Sequence, residues 1–307
     1  MPETTILIPT YNCAKFINQA VKSVLLQDYR DYEVLILDDG STDNTEEVVS
    51  RIHDARITYI RSESNKGIVS ALNEGIIRSN GNYIARMDAD DILLGDRLSS
   101  QIDFLNANND HGLVGGWYQT TDIHGRILDR IETPCDPWET KMGLLFQNKF
   151  AHSAVTMRAE YAFDLRYDQE YQYAEDYDLW CRIASISKVS NLPSYFLSYR
   201  WYQGNSCSLN QKILKMNTLK VLSRELDKYG IVHSSAELVI HGALCFRLGK
   251  QYFNTKELVG ELENWFEKIL GSHLLSNSER SALKGYIVRN YNDLIQSKNN
   301  LPSKQAS

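Results

Sequence analysis

Three aspartates stand close together directly after a short apolar segment, residues 83–85. They are Asp88, Asp90 and Asp91, with Ala89 between the first two. If the apolar segment is a strand, its side chains alternate between faces, so Asp88 and Asp90 can point to one side while small Ala89 points away. A Mg²⁺ or Mn²⁺ ion held by one or two carboxylates keeps coordination positions open for diphosphate oxygens. The spacing indicates a metal site for a phosphate-bearing ligand, although aspartates after strands also serve as caps and turn residues.

A second acidic cluster, residues 170–178, precedes an apolar stripe of helical spacing. The stripe consists of Leu179, Trp180 and Ile183. A helix anchored by this stripe would leave Glu175 and Asp176 in its first turn, facing out of the fold. Such residues stabilise the helix dipole, so a purely structural role stays open. The functional alternative is a general base, because a carboxylate at this edge could take the proton of an attacking hydroxyl.

The elements that must position these carboxylates alternate between strands and helices. The apolar spacing predicts strands at residues 6–8, 34–37, 57–60 and 83–85, and helices at residues 16–25, 43–51 and 68–78. Asp43 and Glu46 have capping-box spacing at the start of the second helix. Strands and helices in alternation predict a mostly parallel sheet with helices on both faces. Ligands of such sheets bind beyond the carboxyl ends of the strands, where the polar motifs fall.

Two further polar motifs follow the first and second strands. The first consists of Pro9, Thr10, Tyr11 and Asn12, and the second of residues 38–43. Tyr11 could offer its ring to a nucleobase, and Asp39 could accept a hydrogen bond from a ring N–H beside helix N-terminal amides. Taken singly, each motif is typical of a turn with good capping chemistry, Asn12 being the cap of the first. The chain has neither G-x-G-x-x-G nor a P-loop, so a metal would have to handle the diphosphate.

Composition sets the broad class. The chain has 307 residues, 43% hydrophobic and 23% charged, with 18 tyrosines, which predicts a globular protein with a sizeable core. A net charge of −6 argues against a nucleic-acid partner. Five scattered cysteines indicate neither a disulfide framework nor a zinc site, which favours a reducing cytoplasm. We expect no cleavable leader, and the sequence contains no apolar run of the roughly 20 residues that span a bilayer.

Five motifs together resemble the family 2 glycosyltransferases in order and spacing. They lie at residues 5–12, 37–45, 65–73, 86–91 and 175–180, and the resemblance covers about residues 4–205. It implies the GT-A fold, an α/β, Rossmann-like and mostly parallel sheet with helices on both faces. It also implies inverting transfer of a sugar from a nucleotide-diphosphate sugar, usually a UDP-sugar, to an acceptor hydroxyl.

On the donor side, the resemblance assigns the nucleotide and a divalent cation, Mn²⁺ or Mg²⁺. Asp90 would ligate the cation, and Asp88 would hold the ribose or the cation. Tyr11 and Asp39 would bind the base. The full nucleotide-binding set that it implies is Pro9, Thr10, Tyr11, Asn12, Asp39, Lys66, Asp88 and Ala89.

On the acceptor side, the resemblance makes Asp176 the catalytic base. Many family members carry a Y-R-x-H pattern whose histidine lies near the metal and the diphosphate, but Tyr202 stands at that place here. The third protein ligand is therefore open, and one alternative is that Asp90 anchors the cation almost alone with phosphates and water. The residues assigned to the acceptor or diphosphate side are Glu175, His152, Arg200 and Tyr202.

After residue 207 the apolar spacing becomes helical and predicts a C-terminal helical appendage. We expect a catalytic domain over residues 1–207, a helical region over 208–295 and a flexible tail over 296–307. Several lysines on the first helix would allow a peripheral membrane contact, but core packing or a homo-oligomer contact fits the stripes better.

The expected setting is bacterial surface polysaccharide or glycoconjugate synthesis in the cytoplasm, at most peripheral at the inner face of the membrane. The acceptor would be a glycan, a lipid-linked group or another hydroxyl compound, bound between residues 115 and 163 and by the helical region. A non-catalytic nucleotide-sugar-binding protein is the alternative, but it would not need Glu175 and Asp176. A carboxylate-metal phosphatase would need Thr or Val where Ile92 stands.

Overall fold

One mixed sheet of nine strands forms the centre of the computed structural model, which describes residues 1–202 and 209–301. The strands are β1 (Thr4–Thr10), β2 (Tyr32–Asp38), β3 (Ile57–Arg61), β4 (Tyr83–Arg86), β5 (Ile92–Leu93), β6 (His111–Thr121), β7 (Ile127–Ile131), β8 (Thr156–Arg158) and β9 (Lys188–Arg200). Their order is β3-β2-β1-β4-β8-β6-β9-β5, and β7 pairs with β6 at the side.

The four predicted strands form the parallel part of the sheet, β3-β2-β1-β4. Every residue of β1 is buried. Ile6 and Ile8 pack on one face with α1 (Ile17–Leu25), and Leu7 packs on the other face with α3 (Ile68–Arg78). A strand buried on both faces needs apolar side chains toward both of them, which explains the continuous run of Ile6, Leu7 and Ile8 in the sequence.

The second part of the sheet mixes directions. The strands β6 and β9 are parallel, whereas β8 runs antiparallel between β4 and β6, and β5 runs antiparallel to β9. Most of the register is nevertheless parallel, and the chain has the expected α/β GT-A architecture.

Helices cover both faces, and their starts differ in one place from the prediction. The remaining helices of this domain are α2 (Thr45–Ser50), α4 (Arg97–Ala107), α5 (Pro137–Gly143), α6 (Ala159–Leu165) and α7 (Glu175–Ile186). The helix α2 begins at Thr45, and Asp43 accepts a hydrogen bond from the Thr45 amide at 3.0 Å. The predicted capping box of Asp43 and Glu46 is therefore wrong, because the N-cap residue is Asn44 and Asp43 lies one position before it.

The C-terminal region is helical, as predicted. It consists of α8 (Gln211–Lys228), α9 (Ser235–Cys245), α10 (Gly249–Tyr252), α11 (Lys256–Leu270), α12 (Asn277–Gln296) and a 3-10 turn (Ser297–Asn300). Trp265 and Tyr286 of this region share a buried cluster with Met142 and Phe146 of the first domain. The helices therefore pack on the segment around α5, and none in the described ranges is long and apolar enough to span a bilayer.

Two details of the helical region differ from the expectation. On α8, Leu222 and Leu226 are buried, but Ile213 and Met216 are exposed, so only the second half of the predicted stripe packs. The start of the predicted flexible tail forms the 3-10 turn, where the Lys298 ammonium lies 2.5 Å from the Glu263 carboxylate. The predicted boundary at residues 207–208 lies outside the described part of the chain, and so do residues 302–307 of the predicted tail.

Candidate active site

The loops after β1 and β2 are tied together by Asn12. This residue has a φ of 52°, in the left-handed region that Asn tolerates better than most residues. Its amide oxygen accepts from the Thr42 amide at 2.8 Å, and its own amide donates to Ser41 Oγ at 2.8 Å. Asn12 thus hydrogen-bonds the loop after β2 to the loop after β1. Tyr11, the residue before it, is 44% exposed at the rim of the sheet. Thr10 is buried just before it, and Pro9 lies in β1 opposite Leu37 of β2.

Asp39 joins the loop after β2 to the start of α3. Its two carboxylate oxygens accept from the amides of Lys66 at 2.8 Å and Gly67 at 2.7 Å. A carboxylate oxygen can accept a second hydrogen bond, so Asp39 keeps capacity for a ligand N–H. The glycine before α3 and Gly40 both have positive φ, and a Cβ on Gly40 would lie 2.8 Å from the Ser64 carbonyl carbon. The predicted base-binding motifs thus share one edge, with Lys66 exposed beside them.

The three aspartates after β4 converge. One carboxylate oxygen each of Asp88, Asp90 and Asp91 lies within 4.8 Å of the others. Burial and the charge of Asp88 raise the pKa of Asp90 to about 6, and burial beside Asp90 raises the pKa of Asp91 well above its usual value. Close carboxylates repel each other, and an oxygen-only donor set is what Mg²⁺ and Mn²⁺ prefer. The residues present therefore fit a hard divalent cation, and Asp91 joins the predicted pair.

Tyr202, at the place of the expected histidine, acts on the aspartates through a hydrogen bond. Its hydroxyl donates to Asp90 Oδ2 at 2.9 Å, and its ring packs 5.4 Å from the ring of Phe16. Arg200 is only 5% exposed, whereas the sequence assigned it to the acceptor or diphosphate side. Its Nε donates to the Asp90 carbonyl at 2.7 Å, and its guanidinium lies 4.5 Å from the centre of the Phe16 ring. Arg200 therefore supports the acidic loop from behind.

Arg86 is a site residue that the sequence analysis missed. It is buried at the end of β4, and its Nη1 lies 2.5 Å from Asp88 Oδ2 and 2.9 Å from Ser153 Oγ. Burial raises the pKa of Glu175 and Asp176 in the second acidic cluster, and the positive charge of Arg86 opposes this rise. An arginine inside an apolar strand was the available signal, because a buried charge requires a charged or polar partner.

Glu175 and Asp176 begin α7, as predicted, but Glu175 does not face out of the fold. It is 6% exposed, and burial together with Asp176 raises its pKa to about 7. Asp176 is partly buried and accepts a hydrogen bond from Asn148 Nδ2 at 2.8 Å. Burial raises the pKa of Asp176 to about 6, and the charge of Asp88 raises it further, so the two acidic clusters lie within electrostatic reach of each other. Sequence reasoning also missed Asn148, which has no local motif.

His152 lies in a short 3-10 turn before β8. Its Nε2 is 2.9 Å from the Tyr167 hydroxyl, and its ring meets the Trp180 ring edge-on at 5.7 Å. Burial lowers the pKa of His152 well below its usual value, and the charge of Arg86 adds to this effect. The imidazole is therefore neutral and brings no positive charge to a diphosphate.

Comparisons with known proteins identify the family of the chain and its fold. A model of the family "Glycosyl transferase family 2" matches residues 5–160. An uncharacterized glycosyltransferase of Haemophilus influenzae is 30% identical, over 75% of this chain and 76% of its own length. The Escherichia coli UDP-Glc:alpha-D-GlcNAc-diphosphoundecaprenol beta-1,3-glucosyltransferase WfgD is 27% identical, over 74% and 85%. The structure of Staphylococcus aureus TarS 1–349 in complex with UDP-GlcNAc has a TM-score of 0.61 at 15% identity, covering 97% of this chain and 92% of that one, and shows a shared fold.

Proposed function

The chain belongs to glycosyl transferase family 2, and from that premise we propose that it transfers a sugar with inversion from a UDP-sugar to an acceptor hydroxyl. One observation carries the proposal. The aspartates after β4 and the Glu175–Asp176 pair at the start of α7 lie close enough for the charges of Arg86 and Asp88 to act on the Asp176 carboxylate. An inverting displacement needs such an arrangement, because the leaving group and the base act on opposite sides of the reacting carbon.

The donor would bind along the rim built by the first two loops. Tyr11 offers an exposed ring for stacking, and Asp39 keeps hydrogen-bonding capacity for the base. The diphosphate would then reach Asp88 and Asp90. A divalent cation held by these aspartates would neutralise negative charge on the leaving diphosphate. The UDP-bound form of TarS and the UDP-glucose named for WfgD support uridine as the base.

Asp176 would act as the general base. Its Oδ2 accepts from the Asn148 amide at 2.8 Å, which fixes the orientation of the carboxylate. With a pKa of about 6, the carboxylate is mostly ionised at neutral pH and yet basic enough to accept a proton in the transition state. Arg86 holds Asp88 at 2.5 Å and limits the mutual repulsion of the two acidic clusters.

The acceptor is proposed to be a lipid-linked or free glycan of bacterial surface polysaccharide synthesis, supported by the diphosphoundecaprenol acceptor in the name of WfgD. A peripheral membrane contact through α8 is supported by the exposed Ile213 and Met216 beside Lys212 and Lys215. Vesicle flotation of the full chain tests this contact. Equal flotation of a variant with Ile213→Ser and Met216→Ser would contradict it.

The proposed function is tested by a thermal-shift screen of nucleotides and nucleotide sugars with and without Mn²⁺. Stabilisation by UDP that requires the cation is expected, since a ligand that binds only the folded state raises its stability. Hydrolysis of the donor and transfer to an acceptor are then assayed separately. No stabilisation by any nucleoside diphosphate would contradict the proposal, and donor binding without hydrolysis or transfer would leave only a binding protein.

A further inference from the structure

A second cleft lies between the first domain and the helical region, and none of the candidate active-site residues lines it. Its volume is about 590 Å³, within the range of small-molecule sites. One wall comes from residues 132–149 and the other from residues 244–250 and α12. The cleft is therefore built by the packing of the two regions rather than by one loop.

A buried lysine lies in the wall of this cleft. Lys149 is 5% exposed, and its ammonium donates to the Tyr286 hydroxyl. Its stem passes over Gly143, where a Cβ would lie 2.7 Å from the Lys149 Cε. With the Gln147 amide oxygen turned toward them, Lys149 Nζ and Arg247 Nη2 both donate to it at 3.2 Å. Gln147 thus holds the two cationic groups side by side at the cleft.

The positive charge in this cleft is not compensated. Arg247 and a third cation, Lys250, form no ion pair with any carboxylate in residues 1–202 or 209–301. Of the two glutamates that line the cleft, Glu139 pairs at 2.8 Å with a fourth cation of the cleft, Arg289, and Glu132 accepts a hydrogen bond from the Tyr195 hydroxyl at 2.8 Å.

Both burial and the excess positive charge affect the pKa of Lys149. Burial and the neighbouring Arg247 lower the pKa of the Lys149 ammonium to about 7. An anion between these cations would reduce their mutual repulsion. It would also accept a hydrogen bond from the third N–H of the Lys149 ammonium, since Tyr286 and Gln147 accept from the other two.

We propose that this cleft binds a phosphate-class anion, held by Lys149, Arg247 and Lys250. Arg247 brings the planar fork that suits phosphate oxygens, and Lys149 brings a point charge at fixed position. Tyr286 and Tyr291, which are both buried, form part of the inner wall of the same cleft. The anion could belong to the acceptor, in which case the inference rests on the proposed function, or to a separate phosphate-bearing regulator.

Inorganic pyrophosphate is the probe, titrated calorimetrically in EDTA at low salt so that cation-dependent binding at the aspartates is absent. The double variant Arg247→Gln/Lys250→Gln changes two exposed side chains of the cleft. The matched control is Lys220→Gln/Lys284→Gln, which removes the same charge from exposed positions outside it. The cleft variant should bind pyrophosphate at least about tenfold more weakly, and the control should bind as the unmodified chain does. Equal weakening in both variants, or no binding by the unmodified chain, would overturn the proposal.

Kinetics then separates the two sources. If the anion belongs to the acceptor, the cleft variant raises the acceptor KM and leaves the donor KM unchanged. If it belongs to a regulator, added pyrophosphate changes the rate of the unmodified chain and not of the cleft variant. Cation-dependent stabilisation by UDP is measured on the same variant, and its persistence shows that the donor site is intact whatever the outcome at the cleft.

Discussion

Replacing Asn148 tests the proposed base through a group that does not itself react. The Asn148 amide donates to Asp176 Oδ2 at 2.8 Å and so favours the ionised carboxylate. A hydrogen bond to a charged group contributes about 1.5 kcal/mol, and one pKa unit corresponds to about 1.4 kcal/mol. Asn148→Ala should therefore raise the pKa of Asp176 from about 6 by about one unit.

The assay is the pH profile of kcat/KM for the acceptor. The base must be ionised, so activity falls as the pH drops through its pKa. At about pH 6.5, roughly three quarters of Asp176 is ionised at a pKa of about 6 and roughly one quarter at about 7, which predicts an about threefold loss. Above about pH 8, Asp176 is mostly ionised in both the unmodified chain and the variant, so the loss of activity should largely disappear.

A second substitution controls for damage to the loop. Asn148 Oδ1 also accepts from the Phe150 amide at 3.1 Å, a contact that Ala loses and Asp keeps. Asn148→Asp should nevertheless shift the acid limb in the same direction and further, because it places a like charge against Asp176. An acid limb that stays in place in both folded variants would refute the assignment of Asp176 as the base.

Three further outcomes follow from the site. Asp176→Asn should lower transfer by at least about 100-fold and leave the UDP-induced thermal shift unchanged, and normal turnover would contradict the base. Tyr202→His should strengthen the stabilisation by Mn²⁺ in thermal-shift titrations, because the imidazole adds a ligand and the hydrogen bond from the Tyr202 hydroxyl to Asp90 is removed. An unchanged response to Mn²⁺ would contradict this prediction. Arg97→Leu should lower the free energy of unfolding by about 3 kcal/mol or more in urea titrations. The reason is that the buried Arg97 guanidinium donates to three backbone carbonyls, one of which belongs to Arg86. A loss below about 1 kcal/mol would contradict this prediction.

The parallel part of the fold was predictable because each of its elements has a strong local pattern. The helix α3 was predicted with the bounds that the structure shows, Ile68–Arg78, and each end of β1 to β4 was predicted to within two residues. The strands β5 and β8 are two and three residues long, and they exist only through pairing with β9, β4 and β6. Segments this short carry no periodicity of their own, so these two strands could not be derived from the sequence.

The candidate site divides in the same way. The aspartates and Glu175 follow or begin elements with clear patterns, and their positions along the chain were predicted correctly. Whether Glu175 faces solvent or interior depends on what packs over the start of α7, which residue spacing does not encode. Asn148 contacts Asp176 across 28 residues, and Arg86 reaches Ser153 across 67, so neither partner could be identified before the fold was known.

The end of β9 shows how the site compensates for the absent histidine. Asp90 was expected to anchor a cation almost alone, but three hydrogen bonds from β9 and the residues after it reach the acidic loop. Tyr202 donates to the Asp90 carboxylate, Arg200 Nε to the Asp90 carbonyl, and the Arg200 amide to Asp91 at 2.8 Å. These contacts hold the carboxylates in place and leave their convergent oxygens available, so in the proposed cation site the tyrosine would orient a ligand where an imidazole would have been one. The acidic motif after β4 therefore depends, for its geometry, on a strand more than a hundred residues later in the chain.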